Sequence, residues 1–313
     1  MANVSGQGNN FNALNYLGEV FAQGTKFTTN FLELVGQAEP RRAFDLDFSL
    51  NQNYDLEAPA QKSITENAST TAPTATTYVR SQELQAVQIF QYSIDLTDLK
   101  LMARARMSGL NSRVNDEVVQ DELAFQIAAN LSQMRLDLEW HMLNGTYQKA
   151  TNATTASQMR GILNDSNIVA IDASSASLDR DLLDNLFKTM AGNGARFSDC
   201  FLLVPAAQKA IVDKAYAFEP TDRYIGGSQI QSIIHSFGRV NVLYVPNTLA
   251  SNTVAVVDMA YVEPVFMPSA EGNEVYLEEL AKTGMSTKHQ LVTLASIDYT
   301  HGQLHGKITN LAA

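Results

Sequence analysis

His301 and His305 stand four residues apart, the spacing that sets two imidazoles on one face of a helix and offers them to a metal ion. Gly302 and Gly306 interrupt that stretch, its surroundings read as strand, and no acidic third ligand follows, so no metal site is expected. Asp45-x-Asp47 resembles the carboxylate pair that holds a divalent ion in sugar transferases. Both acids, however, occupy the polar phase of an alternating run, in which Phe44, Leu46, Phe48 and Leu50 answer Asp45, Asp47, Ser49 and Asn51, and a solvated strand face explains them. Gly192-x-Gly194 follows a helical pattern instead of a strand and lacks the third glycine of a dinucleotide loop, so it ends a helix. The lone Cys200 lies in the apolar run Cys200-Phe201-Leu202-Leu203-Val204, where a thiol behaves as a small buried hydrophobe, and no disulfide can form within the chain. Neither a Gly-x-Ser-x-Gly elbow nor a Walker loop occurs. We therefore expect no catalytic residue, cofactor or metal, and no enzyme activity. One cationic stretch, with Lys100, Arg104, Arg106 and Arg113 and no acid between them, could hold phosphate, but an acidic helix follows it, and pairing of opposite charges within or between subunits is the stronger reading.

The elements that would carry these residues belong to a globular chain of 313 residues, 45% hydrophobic. A formal charge of -11 speaks against nucleic acid held by counterion release, which needs a basic face. The first ten or so residues have neither the basic nor the apolar region of a signal peptide, and no apolar run of about 18 residues could span a membrane. The expected setting is the reducing cytoplasm.

Phe11, Leu14, Leu17 and Phe21 recur at near-helical spacing behind a Gly, Asn and Ser-rich tip, as in an arm that docks onto something. A strand is predicted from Ala43, and a second where Phe90, Tyr92, Ile94 and Leu96 alternate with polar residues. Between them, residues 58–77 hold Ile64 as their only large apolar residue and cannot build a core. A projecting hairpin that gains its order by lying across a neighbouring subunit accounts for so long an excursion. A helix is predicted over residues 116–143, with Asn115 as cap, Gly145 as a left-handed stop, and a stripe of Val119, Leu123, Ile127, Leu131, Met134, Leu138 and Met142. Its length of about 28 residues makes a rod of about 42 Å, whose other face sets Asp121, Glu122, Asp137 and Glu139 against Arg135 alone. Beyond it, a helix near residues 178–191, a buried strand at 201–204, a helix after Pro205 and strands at 240–245, 253–257 and 261–266 form a lobe of their own. Strand-like stretches at 290–298 and 306–311 close the chain.

The order of these parts resembles the Hong Kong 97 phage-type capsid fold, an α+β architecture with an N-terminal arm, extended loop, long spine helix, peripheral domain and axial domain. Ser236-Phe237-Gly238-Arg239-Val240-Asn241-Val242, Val254-Ala255-Val256-Val257-Asp258, Leu280-Ala281-Lys282-Thr283-Gly284 and His305-Gly306-Lys307-Ile308-Thr309-Asn310-Leu311 are similar to short-tailed phage major head proteins, as are Glu139 through Gly145 and Met159-Arg160-Gly161-Ile162. Where that family places an acid before the late strand, Gln290 and Thr293 stand here. The resemblance implies an arm at residues 1–42, an extended loop with its stem at 43–99, a peripheral domain with the spine at 100–163, an axial domain at 164–268 and a return to the peripheral domain at 269–313. It implies a major capsid protein that assembles into pentamers and hexamers of an icosahedral head around double-stranded DNA, without reading its sequence. Glu57, Lys62, Ile64, Glu66, Tyr78 and Arg80 would then lie in the intersubunit loop, and the acids of the spine would face the lumen and keep packed DNA from adhering. Portal, scaffolding and decoration proteins are the expected partners, and assembly in the bacterial host cytoplasm the expected setting. The alternatives are an encapsulin-like compartment shell around protein cargo and, in another class, a soluble hydrolase with an unrecognised site.

Overall fold

The computed structural model describes residues 28–53, 58–72, 75, 77–98, 122–215, 219–225, 228–282 and 284–312. Most of the arm, Glu57, the basic residues Lys100 to Arg113 and Asp121 fall outside these, as do the expected helix start at Asn115 and Val119.

The chain begins with α1 (Asn30–Val35), then β1 (Arg41–Arg42) and β2 (Asp47–Asn53). The short α2 (Glu66–Ser69) interrupts the extended loop, and β3 (Ser81–Ala86) and β4 (Gln88–Thr97) follow. The spine helix α3 (Glu122–Asn144) leads into β5 (Val169–Asp172), α4 (Arg180–Gly192), β6 (Cys200–Val204) and α5 (Ala206–Ala215). Next come β7 (Glu219–Ile225), β8 (Ser228–His235), β9 (Gly238–Tyr244), β10 (Val254–Asp258), β11 (Glu263–Phe266), β12 (Val275–Leu280), β13 (Ser286–Asp298) and β14 (Gly306–Thr309).

Three sheets result among the described residues. The peripheral sheet runs β1-β11-β13-β12, with β4 along the other side of β13 in a ten-residue register from Ser286↔Thr97 to Ala295↔Gln88. The axial sheet has seven strands, β5-β14-β10-β6-β9-β8-β7, and β2 pairs with β3 alone. In β4 the alternation holds as expected: Phe90, Ile94 and Leu96 are buried and Gln91, Ser93 and Asp95 exposed. The fully buried β6 lies between β10 and β9, which is why its run is apolar without alternation.

Among the described residues the core has two large parts and a small third cluster of Ala43, Val87 and Val265. One, built on Phe31, Leu131, Met134, Leu138, Met142, Phe266 and Tyr299, fills the space between spine helix, peripheral sheet and one face of the axial sheet. The other packs α4, through Leu183, Leu186, Phe187 and Met190, against the opposite axial face. Leu182 in the same helix is only partly buried, while Leu183 is fully so. Asp179 caps that helix by accepting from Leu182 N–H at 2.8 Å.

Several expectations need correction. The loop stem is β2 with Ser81–Ala86, not β2 with the strand at Phe90, which joins the peripheral sheet. The axial boundary shifts too: β11 pairs with β13 in the peripheral sheet, and β14 pairs with β5 and β10 in the axial sheet. The chain therefore returns to the peripheral sheet at β11 and leaves it again after β13. Finally, the positive-φ glycines among the described residues are Gly194, Gly238, Gly272 and Gly284, and Gly145 is not one of them. Gly145 is needed for space, because a Cβ there would meet Met159 O at 2.5 Å and His141 O at 2.6 Å. Gly161 faces it, its N–H donating to Gly145 O at 2.9 Å, so the spine's end and the following turn pack backbone on backbone.

Candidate functional site

Among the described residues no group of three or more His, Cys, Asp and Glu side chains could hold a metal ion. Asp45 accepts from Leu46 N–H, and Asp47 pairs with Lys149 at 2.7 Å. Burial pushes the Cys200 thiol well up from its ordinary pKa, so it stays protonated. His305 is enclosed: its Nδ1 accepts from Asp258 N–H at 3.2 Å, its Nε2 faces Tyr299 O at 3.0 Å, and burial lowers its pKa. It ties the crossover after β10 to the crossover after β13.

The extended loop has a firm root and an open tip. At the root, Gln85 is fully buried, donating to Arg160 O at 2.8 Å and accepting from Arg160 N–H at 2.8 Å. Two residues earlier Glu83 pairs with the Arg160 guanidinium, which also lies 5.0 Å from the Tyr147 ring centroid. These largely desolvated contacts fix where the hairpin leaves the body. Toward the tip, every described residue from Ala58 to Gln82 is exposed, including Lys62, Glu66 and Arg80. Thr65 caps α2 through Ala68 N–H, so the tip has local order without a core. Ile64 is 72% exposed and Val79 81%, and Tyr78 is also exposed. Near the root, Phe44 is 86% exposed, so the apolar phase of the first strand reaches the body only at Phe48 and Leu50.

The spine helix departs from the acidic rod read in the sequence. Glu139 is fully buried and cannot face a lumen: its Oε2 accepts from Leu32 N–H at 3.0 Å and its Oε1 from the Thr248 hydroxyl at 2.6 Å. Thr29 precedes α1 without capping it, because its hydroxyl accepts instead from Arg135 at 3.1 Å; Glu139 supplies the missing cap from another element. Desolvation raises the Glu139 pKa, opposed by these hydrogen bonds and by Arg135. Asp137 is half-buried, accepting from the Tyr92 hydroxyl and from Gln133. Asp121 and the Glu122 side chain lie outside the described residues. The solvent side of the helix carries Phe125, 54% exposed, and Trp140, 47% exposed, with Ala128, Ala129 and Ser132 between them. That spacing was available in the sequence but was overshadowed by the stronger buried stripe. At the late strand, Gln290 donates to Glu278 and accepts from Gln91, and Thr293 donates to Glu274 O, so neutral side chains make the contacts there.

The profile of the SU10 major capsid protein family matches residues 3–312. No curated protein sequence matches the chain. Among solved structures, the fold is similar to the holo-SrpI encapsulin complex from Synechococcus elongatus PCC 7942, at 12% identity and TM-score 0.56, over 93% of this chain and 90% of that one. A chain of Mycobacterium phage Patience aligns at 9% identity and TM-score 0.56, over 91% and 84% of the two chains. The capsid of an empty GTA particle aligns at 10% identity and TM-score 0.55, over 93% of each. At such identities the likeness is one of fold.

Proposed function

Because this chain belongs to the SU10 major capsid protein family, a structural shell protein of the virion and not an enzyme, we propose that its copies form pentamers and hexamers of an icosahedral phage head of the Hong Kong 97 type. Each extended loop lies across an adjacent subunit. The observation that supports this geometry is the loop itself, rooted by Gln85 and the Glu83–Arg160 pair yet exposed throughout its described length. Ile64, Tyr78 and Val79 on that loop are apolar surface a lone subunit leaves wet, and a neighbour's surface would cover them. DNA fills the shell without base recognition. Portal, scaffolding and decoration proteins complete the head, which is assembled in the host cytoplasm.

Expression of the full chain, followed by sedimentation and negative-stain microscopy, tests this. Megadalton particles, tubes or capsomers are expected, and a small discrete oligomer at high concentration would overturn the shell geometry. Deleting residues 57–78 should leave a folded subunit that no longer closes shells; normal particles from that variant would refute the role of the loop. The encapsulin-like fold match keeps a compartment reading in view. Particles from infected cells should contain DNA, and protein cargo in its place would favour the compartment.

A further inference from the structure

The N-terminal half of the spine helix has an uncovered apolar face. Phe125, Ala128, Ala129, Ser132 and Leu136 form one stripe of α3, uncharged, with the first four exposed and Leu136 half-exposed. Further along the same side of the helix, Glu139 and Leu143 are fully buried, and α1 covers Glu139.

The contacts of α1 show which way its chain is heading. Leu32 sits at Glu139 and Thr29 at Arg135, so moving back along the chain from Leu32 to Thr29 moves about one turn toward the N-terminus of α3. The described segment from Leu32 back to Thr29 is thus parallel to the spine, and its direction, continued, points at the C-terminal end of the open stripe. The stretch before Thr28 is the one in which Leu14, Leu17 and Phe21 recur at near-helical spacing. From Phe125 to Leu136 is about 17 Å of helix, within reach of the residues before Thr28. Ala128, Ala129 and Ser132 in mid-stripe would let a second helix approach to about 8 Å between axes.

The geometry points to residues 11–21 of the same chain as the occupant: Leu14, Leu17 and Phe21 lie on the Phe125-to-Leu136 stripe and extend the packing that α1 begins. This contact braces the subunit from within and does not depend on the shell reading.

Photo-crosslinking tests it in the purified full chain, assembled or not. A benzophenone amino acid replaces Phe125, and in a second variant Ala129; each variant is first matched to the unmodified protein in thermal unfolding. After irradiation, adducts to peptides from residues 1–27 are expected in a band of monomer mass. Adducts to residues 58–80, adducts in a band of dimer mass, or reaction with solvent alone would each overturn the assignment. Adding Leu17→Asp and Phe21→Asp should abolish the adduct, and an undiminished adduct would overturn it as well.

Discussion

Replacing Glu139 with Ala removes an acceptor on which two distant segments depend. Leu32 N–H and the Thr248 hydroxyl each donate to this carboxylate, across separations of 107 and 109 residues. Hydrogen bonds to a charged group contribute roughly 1.5–3 kcal/mol each, and buried donors left without partners lose most of that. Arg135, 6% exposed, keeps its attraction to Glu33, so the full cost of an isolated buried cation is not added. A loss of about 3–4 kcal/mol follows, a large share of the roughly 5–15 kcal/mol that holds a protein folded. At roughly 2 °C per kcal/mol for a chain of this size, the unfolding midpoint of dissociated capsomers should fall by about 6–8 °C. Glu139→Gln keeps one acceptor oxygen, and the Thr248 hydroxyl can turn to accept from its amide, so about half of that fall is expected. Scanning calorimetry of both variants is the measurement. A midpoint within about 2 °C of the parent for Glu139→Ala would mean that the carboxylate does not cap α1, and the reasoning on the spine would fail.

Gln85→Ala strands the backbone N–H and C=O of Arg160, and at roughly 1–3 kcal/mol for an orphaned buried group it should lower stability by about 3 kcal/mol in urea titration; an unchanged midpoint would show that the loop root is not held there. Gly161→Ala brings a Cβ to 2.5 Å from Leu143 O, backbone that cannot step aside, and should cost about 3 kcal/mol, whereas Gly192→Ala meets nothing within 4 Å and should be neutral or slightly stabilising. Equal effects of the two glycine changes on thermal unfolding would contradict the close approach at Gly161. Burial lowers the His305 pKa from its ordinary 6.5, against the pull of Asp258 and Asp165, so the folded chain stays neutral at a pH where the unfolded chain takes up a proton. Stability from this group is full above about pH 6.5 and falls as the pH drops below it, by at most about 1.4 kcal/mol per unit. His305→Asn should remove that increment, and parallel midpoint-against-pH curves for variant and parent would refute it.

The parts legible in the sequence are those where one period governs a whole element. Phe90, Ile94 and Leu96 in β4 and Ile127, Leu131, Met134, Leu138 and Met142 in α3 are buried as their spacing demands. Ser81–Ala86 was missed as a strand because its pairing with β2 uses backbone groups, and its Gln85 side chain is buried by hydrogen bonds that no local pattern announces. Glu139 was read as surface for a related reason. An acid looks solvated until its donors are known, and they come from residues more than a hundred positions away. The boundaries between the two large sheets were misplaced where strands are short: β11 and β14 have four residues each, and only their partners decide which sheet they join. The extended loop was legible by what it lacks, since a stretch with one large apolar residue has nothing with which to bury itself.

The position of β14 bears on how the protein is made. It is hydrogen-bonded on both sides, to β5 and to β10, yet it leaves the ribosome after every other strand of either sheet. A chain interrupted before Gly306 presents two bare strand edges facing an empty slot, a condition that invites aggregation.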